Sequence, residues 1–135
     1  MSLKIVDIGL SKMLDKLLTA YGNAMQLCLF QNNITPVGSD TLATYQEATF
    51  PGYVRQAITG WLPSTVAASV ATSNATQVSF QRSATGTAQT IFGYFVLDGS
   101  GNLLFAERDP AAPITLTNQG DTYLITPKFT YLSEF

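Results

Sequence analysis

The feature that most limits the fold of this chain is a succession of short apolar segments separated by turn residues, beginning at residue 24. The segments are rich in β-branched and aromatic residues, and seven or eight follow one another at intervals of about 8–15 residues. The clearest spans residues 77–82, where Val78 and Phe80 alternate with polar side chains. The pattern predicts a mainly-β chain, an antiparallel β-sandwich of jelly-roll or related Greek-key type.

The best hairpin signal lies in the second half of the chain. Residues 90–97 are aromatic and β-branched, residues 98–102 are turn residues, and residues 103–107 form the returning strand. The turn shares some oxygen-bearing positions with a calcium-binding loop. However, its twelfth position is Asp109 rather than glutamate, and its flanks are predicted strands rather than helices. We therefore predict a hairpin turn here and no metal site.

Other segments give weaker strand predictions. Residues 24–30 are expected to form a first strand that is apolar on both faces, and residues 63–74 a loop that carries a weak strand. Residues 122–126 and 128–132 are predicted to be a closing pair of short strands around Pro127, a residue that suits a sheet edge or a bulge.

Residues 1–22 differ from the rest and predict an N-terminal arm with a short amphipathic α-helix. Ser11 is placed to cap the start of the helix, and Gly22 to end it. Residues 23–135 form the predicted β-sandwich domain, and both parts together are expected to make a single compact domain. The apolar stripe of the helix consists of Leu10, Leu14, Leu17, Leu18 and Tyr21.

A helix of this length is only marginally stable in water by itself, so its apolar stripe must pack against another surface. Two partners are open at this point. One is the sheet of the same chain, and the other is a neighbouring subunit of an oligomer.

The composition excludes several function classes. Charged residues make up only 12% of the chain and the basic ones are scattered, so no nucleic-acid partner is predicted. The chain has no histidine, which excludes Ser-His-Asp and Cys-His catalysis and histidine-based zinc sites. The one cysteine, Cys28, is expected to be a small buried side chain. No run of 18 apolar residues occurs, so no membrane partner is predicted.

Carboxylates are the remaining acid–base groups. Glu107 and Asp109 lie two residues apart at a strand end and share a face if the strand continues, as a pair in a glycoside hydrolase must. Any fold with nine acidic residues brings some pair together, and solvated strand-end charges near Arg108 are the favoured interpretation of these two. We predict no enzyme activity, no catalytic residue, no cofactor and no metal.

Aromatic residues offer possible contact surfaces. Phe92 and Tyr94 lie in a strand with aromatic residues on both faces, so either the chain covers both faces or one face meets a partner. The segment from residue 129 to Phe135 stays apolar to the end and is expected to pair within a sheet or across an interface. Trp61 and surface tyrosines could stack on sugars, although burial in a core is the usual role of aromatic residues.

Several short segments, in this order, resemble small structural proteins encoded by tailed bacteriophages. The likeness covers roughly residues 27–130 and is a pattern of turns and packed aromatic residues, carried by residues 29–36, 48–53, 93–107 and 120–127. The resemblance implies a capsid decoration (cement) protein or another small structural piece of the particle, and it implies no particular binding residue.

We therefore expect a non-enzymatic virion structural protein that bridges and stabilises neighbouring capsid subunits as a symmetric oligomer, a trimer foremost. Its expected partners are other copies of itself and the major capsid protein or another virion protein. Its expected location is the virion, after assembly in the host cytoplasm. The alternative is a tail-fibre, receptor-binding or carbohydrate-binding β-sandwich module. The predicted interface residues are Leu10, Leu14, Leu17, Leu18, Phe92, Tyr94 and Phe135.

Overall fold

A computed structural model describes residues 3–21 and 24–132 of the chain. The fold is mainly β, with one N-terminal α-helix and several antiparallel sheets, and this confirms the predicted fold class, a β-sandwich with a short helix. The helix α1 is Asp7–Tyr21, and a 3₁₀ turn spans Leu42–Thr44. The strands are β1 (Gln26–Phe30), β2 (Gln56–Ala57), β3 (Thr65–Ala67), β4 (Val70–Asn74), β5 (Val78–Gln81), β6 (Gln89–Ile91), β7 (Gly93–Leu97), β8 (Leu103–Arg108), β9 (Ile114–Leu116), β10 (Thr122–Ile125) and β11 (Lys128–Leu132).

The chain forms two compact units. The first consists of Met1–Asn23, Ile58–Val78 and Ile125–Phe135, and the second of Ala24–Ala57 and Ser79–Leu124. The predicted division into an arm of residues 1–22 and a β-sandwich of residues 23–135 stays a prediction. The helix shares its unit with two later segments of the chain.

The first unit is a three-stranded antiparallel sheet, in the order β11-β4-β3, with α1 packed on one face. In the central strand, Ala71 and Ser73 are buried, and both have small side chains. Small residues on the central strand leave room for the buried leucines of the helix, and this is the packing that a marginal helix needs.

The helix begins earlier than the sequence predicts, so the proposed cap at Ser11 is wrong. The Leu10 amide already donates to the carbonyl of Val6, and the carboxylate of Asp7 in the first turn suits the positive end of the helix dipole. Ser11 lies inside the helix, where its hydroxyl shares a 2.7 Å hydrogen bond with the hydroxyl of Ser64.

The second unit is built on a four-stranded antiparallel sheet in the order β2-β1-β7-β8. All five residues of β7 are buried, as are four of the five in β1, so the two central strands are covered on both faces. Leu29 pairs with Tyr94, and Phe30 pairs with Gly93. The prediction of a first strand that is apolar on both faces is confirmed.

Aromatic rings fill one side of this sheet. The ring of Tyr45 lies 5.2 Å from that of Phe30 and stacks on Phe95 at 5.3 Å between centroids. Together with Cys28 and Leu97 these residues form a buried cluster. Burial of aromatic area of this kind is a major contribution to the stability of a small domain.

The predicted hairpin between β7 and β8 is confirmed. One carboxylate oxygen of Asp98 accepts hydrogen bonds of 2.9 Å from the amides of Ser100 and Asn102, and Gly101 has a φ of 85°. The side-chain amide of Asn102, with these backbone amides, holds the pKa of Asp98 below its usual value. The Asp98 carboxylate therefore stabilises the hairpin turn in which it lies.

Two strand pairings differ from the prediction. The strands on either side of Pro127 do not pair with each other, because β10 pairs with β5 and β11 pairs with β4. Residues 63–74 are not a loop with one weak strand but a hairpin of β3 and β4. Its two-residue turn, Ala68 and Ser69, has φ values of 50° and 62°, and this conformation suits a tight hairpin but is unusual for these residue types.

Arg82 is the one charged side chain buried in the described part of the chain, with 2% of its surface exposed. Its guanidinium donates to the carbonyl oxygens of Ala84 (2.7 Å) and Thr87 (2.9 Å). A third hydrogen bond, of 2.9 Å, reaches the carbonyl of Leu116 at the end of β9. One side chain thus ties the loop between β5 and β6 to the end of β9.

Replacing Gly93 with alanine should destabilise the protein. A Cβ at this position would overlap the carbonyl oxygen of Glu107 on β8 and lie 2.8 Å from two ring atoms of Phe30. We expect the free energy of unfolding in urea to fall by about 1–3 kcal/mol. Gly38→Ala is the control, since a Cβ there meets nothing within 4 Å. Equal stability of the two variants would contradict this packing.

Replacing Arg82 with methionine should cost about 2–4 kcal/mol of unfolding free energy, because three carbonyl oxygens lose their donors. Arg55→Met is the control, since this arginine is 42% exposed and its ion pair with Glu47 lies at the surface. The control should lose less than about 1 kcal/mol. Thermal or urea unfolding measures both, and a larger loss for Arg55→Met would refute the assignment.

Candidate interaction surfaces

The leucines predicted as interface residues lie mostly inside the first unit. Leu10, Leu14 and Leu18 are buried where α1 packs on its sheet, and Leu17 is half-buried. The helix thus uses the first of the two partners that the sequence left open, the sheet of its own chain. Its three buried leucines are not free to contact a second subunit while the helix stays there.

The two predicted aromatic interface residues on the second sheet also have partners in the chain. Tyr94 is buried, and its hydroxyl donates a 2.7 Å hydrogen bond to the carboxylate of Glu107. Phe92 is half-buried against the aromatic cluster, and the guanidinium carbon of Arg108 lies 5.2 Å from its ring centroid. Phe135 lies outside the described residues.

Large apolar side chains are exposed mainly in two regions of the described chain. Five of the twelve exposed large apolar residues lie within residues 3–21, and a second group borders the edge strand β8. The first group is Leu3, Val6, Ile8, Met13 and Tyr21, and the second is Val37 and Leu104. The predicted apolar stripe of the helix included Tyr21 but no other member of either group. The apolar residues of the arm that lie outside this stripe, Leu3, Val6, Ile8 and Met13, could have indicated the exposed group.

The second group lies beside a groove of about 420 Å³ in the second unit. Residues 36–40 form one wall and residues 103–106 of β8 form the other. A carboxylate oxygen of Asp40 fixes the loop, since it accepts hydrogen bonds from the Tyr45 hydroxyl (2.7 Å) and the Val37 amide (2.9 Å). The groove thus has both polar and apolar lining and runs along the edge strand β8.

The two carboxylates considered for hydrolysis are each bonded to a tyrosine. Glu107 accepts from Tyr94, and Asp109 accepts a short hydrogen bond from Tyr123. Burial raises the pKa of Tyr123, and the hydrogen bond to Asp109 raises it further, so the tyrosine is the proton donor of its pair. Both carboxylates are half-buried, and each has a structural partner. The prediction that the chain is no enzyme stays a prediction.

A second polar network surrounds the cysteine. Glu47 accepts a two-pronged ion pair from Arg55, with both contacts at 2.9 Å, and a 2.8 Å hydrogen bond from Tyr53. Burial alone would raise the pKa of Glu47, but these hydrogen bonds hold it below its usual value. Burial raises the pKa of the Cys28 thiol to about 12, and the nearby charge of Glu47 adds to the effect.

The part of the chain that the structure describes holds neither a cluster of potential metal ligands nor a membrane-spanning helix. Residues 3–21 and 24–132 contain no cluster of three or more potential metal ligands. The helix found there falls short of the length and apolarity that spanning a membrane requires.

Comparison with protein-family models, with curated proteins and with solved structures found no match to this chain.

The thiol of Cys28 should be unreactive in the folded protein. With a pKa of about 12, only ~1 in 10,000 thiols is ionised at pH 8, and the thiolate is the reactive form. We expect no alkylation by iodoacetamide at pH 8 until urea unfolds the chain, as measured by mass spectrometry. Complete labelling of the native protein within minutes would show that the thiol is accessible and ionised.

Proposed function

We propose that this chain is a non-enzymatic structural protein of a bacteriophage particle, a capsid decoration protein that acts as a symmetric oligomer. The observation that carries the proposal is the exposed apolar surface of residues 3–21. Leu3 is 76% exposed and Ile8 is 72% exposed, although the neighbouring leucines of the helix are buried. In this proposal, another protein covers these exposed apolar groups of the arm.

The proposal is supported by the hydrogen bonds that the buried and half-buried polar side chains make within the fold. The tyrosine–carboxylate pairs hold strand ends, and the buried guanidinium of Arg82 binds carbonyl oxygens. These groups all have structural partners within the fold, which favours a function by contact with another surface. The resemblance of the sequence to small bacteriophage structural proteins specifies which surface we propose.

The proposed mechanism is the burial of additional area at junctions between capsid subunits. Each contact stabilises the shell by roughly 25 cal/mol for every Å² of apolar surface removed from water. A symmetric oligomer presents the same arm several times, so a modest contact becomes strong through multivalency.

The double variant Ile8→Gln/Met13→Gln should lose binding to the shell without unfolding. Both side chains are at least half exposed, so the fold does not depend on them, whereas an interface would. We expect binding to capsid shells, reassembled from the major capsid protein of the same bacteriophage, to weaken at least ~10-fold in co-sedimentation.

Leu124→Gln is the matched control, because Leu124 is 54% exposed on β10 and lies outside the arm. It should bind the shell like the unmodified chain. The proposal fails if the unmodified chain does not sediment with the shell. It also fails in its choice of surface if the double variant binds as well as the control.

A further inference from the structure

The first unit contains a cleft that the proposed function does not use. One wall is the helix, with Asp15, Leu18 and Thr19, and the other wall is the segment from Gly60 to Pro63. Its volume is about 490 Å³, within the range of about 300–1,000 Å³ that is common for small-molecule sites. A metal ion needs several ligands, and the described residues form no such cluster, so the cleft suits an organic molecule.

The carboxylate of Asp15 is the one charged group among the residues that line the cleft. One of its oxygens accepts a 2.9 Å hydrogen bond from the amide of Ser64, the residue that follows the second wall. The other oxygen has no hydrogen bond within the described residues. An acceptor that the fold already holds in place loses little conformational freedom when it binds a donor.

Two lysines lie near Asp15 along the helix, but neither lines the cleft. Lys12 and Lys16 are both exposed, and no ion pair joins either of them to Asp15 among the described residues. Exposed charges that are not in contact interact weakly, because water and salt screen them. The negative charge of Asp15 therefore remains available to a ligand.

The second wall adds apolar surface beside this charge. Trp61 is half-buried, and its indole Nε1 is fully buried, so any part of the indole that faces the cleft is ring carbon. Leu62 is 60% exposed, and Pro63 is exposed as well. An aromatic ring attracts a cation as well as hydrocarbon, so this wall is compatible with both parts of a charged organic molecule.

We propose that this cleft binds an organic cation, an ammonium group that carries a hydrocarbon substituent. The ammonium group donates to the second oxygen of Asp15, and the hydrocarbon packs on Trp61 and Leu62. Opposite charges strengthen the hydrogen bond, and this selects a cation over the neutral donors of an alcohol, a sugar or an amide. The carboxylate repels an anion. A purely apolar ligand leaves the carboxylate unused.

The inference goes beyond capsid binding and does not use the exposed apolar side chains of the arm. The proposed shell contact depends on residues such as Ile8 and Met13, which do not line the cleft. Either proposal can therefore fail while the other stands.

The test compares three probes that share a phenyl ring and differ in the polar group. They are phenethylammonium, phenethyl alcohol and phenylacetamide, each titrated to about 50 mM into the full chain. Proton–nitrogen NMR spectra report the amides of Asp15, Leu18 and Thr19, and the single tryptophan gives one indole N–H signal. We expect phenethylammonium to shift these signals saturably, with a dissociation constant below about 10 mM. The two neutral probes should bind at least about 10-fold more weakly.

A pair of variants locates the charge that binds the probe. Asp15→Asn keeps an oxygen for the Ser64 amide but loses the charge, so the affinity for phenethylammonium should fall at least about 10-fold. Asp7→Asn is the matched control, because it makes the same change on an exposed residue of the same helix outside the cleft. Its affinity should stay within about 2-fold of the unmodified chain. Melting temperatures verify that both variants are folded, and the comparison of the three probes needs no variant.

Three results would overturn the cation site. The first is the absence of a saturable shift with phenethylammonium at the signals of the cleft. The second is equal affinity for phenethylammonium and either neutral probe, which would show that charge does not select the ligand. The third is equal affinity of Asp15→Asn and Asp7→Asn for phenethylammonium, which would place the cation elsewhere on the chain.

Discussion

The pairing of β1 with β7 is the constraint on which the second unit depends. These neighbouring strands are buried on both faces, so each needs a complete cover from the rest of the unit. Gly93 allows the close approach of Phe30 and of β8, and the aromatic cluster of Tyr45 and Phe95 packs on one side. A strand with two apolar faces is thus satisfied within the chain and needs no partner subunit.

Several polar groups, like the apolar strands, also have their partners within the fold. Arg82, Glu107 and Asp109 all bond to groups of the fold, and the thiol of Cys28 is buried. Among the described residues, the apolar side chains of the arm are exposed, and the buried indole nitrogen of Trp61 has no hydrogen-bond partner. The exposed arm carries the proposed assembly.

Periodicity predicted the mainly-β class, the helix and the β7–β8 hairpin, because local side-chain patterns and turn residues determine them. It did not predict that β10 and β11 pair with different strands, since pairing partners distant in sequence leave no local signal. The turn at Ala68 and Ser69 lacks glycine and asparagine, the residues that usually indicate positive φ values, so the sequence did not predict it. The burial of Arg82 was likewise not predicted, because its partners are backbone carbonyl oxygens, which every residue has and which leave no mark in the sequence.

The central proposal is a symmetric oligomer whose exposed arms contact the capsid shell. The most direct test is the native mass of the purified chain by light scattering after size exclusion. Self-association predicts a stable oligomer, foremost a trimer of three times the 14.5 kDa chain mass. A mass of 14.5 kDa at every concentration would contradict it.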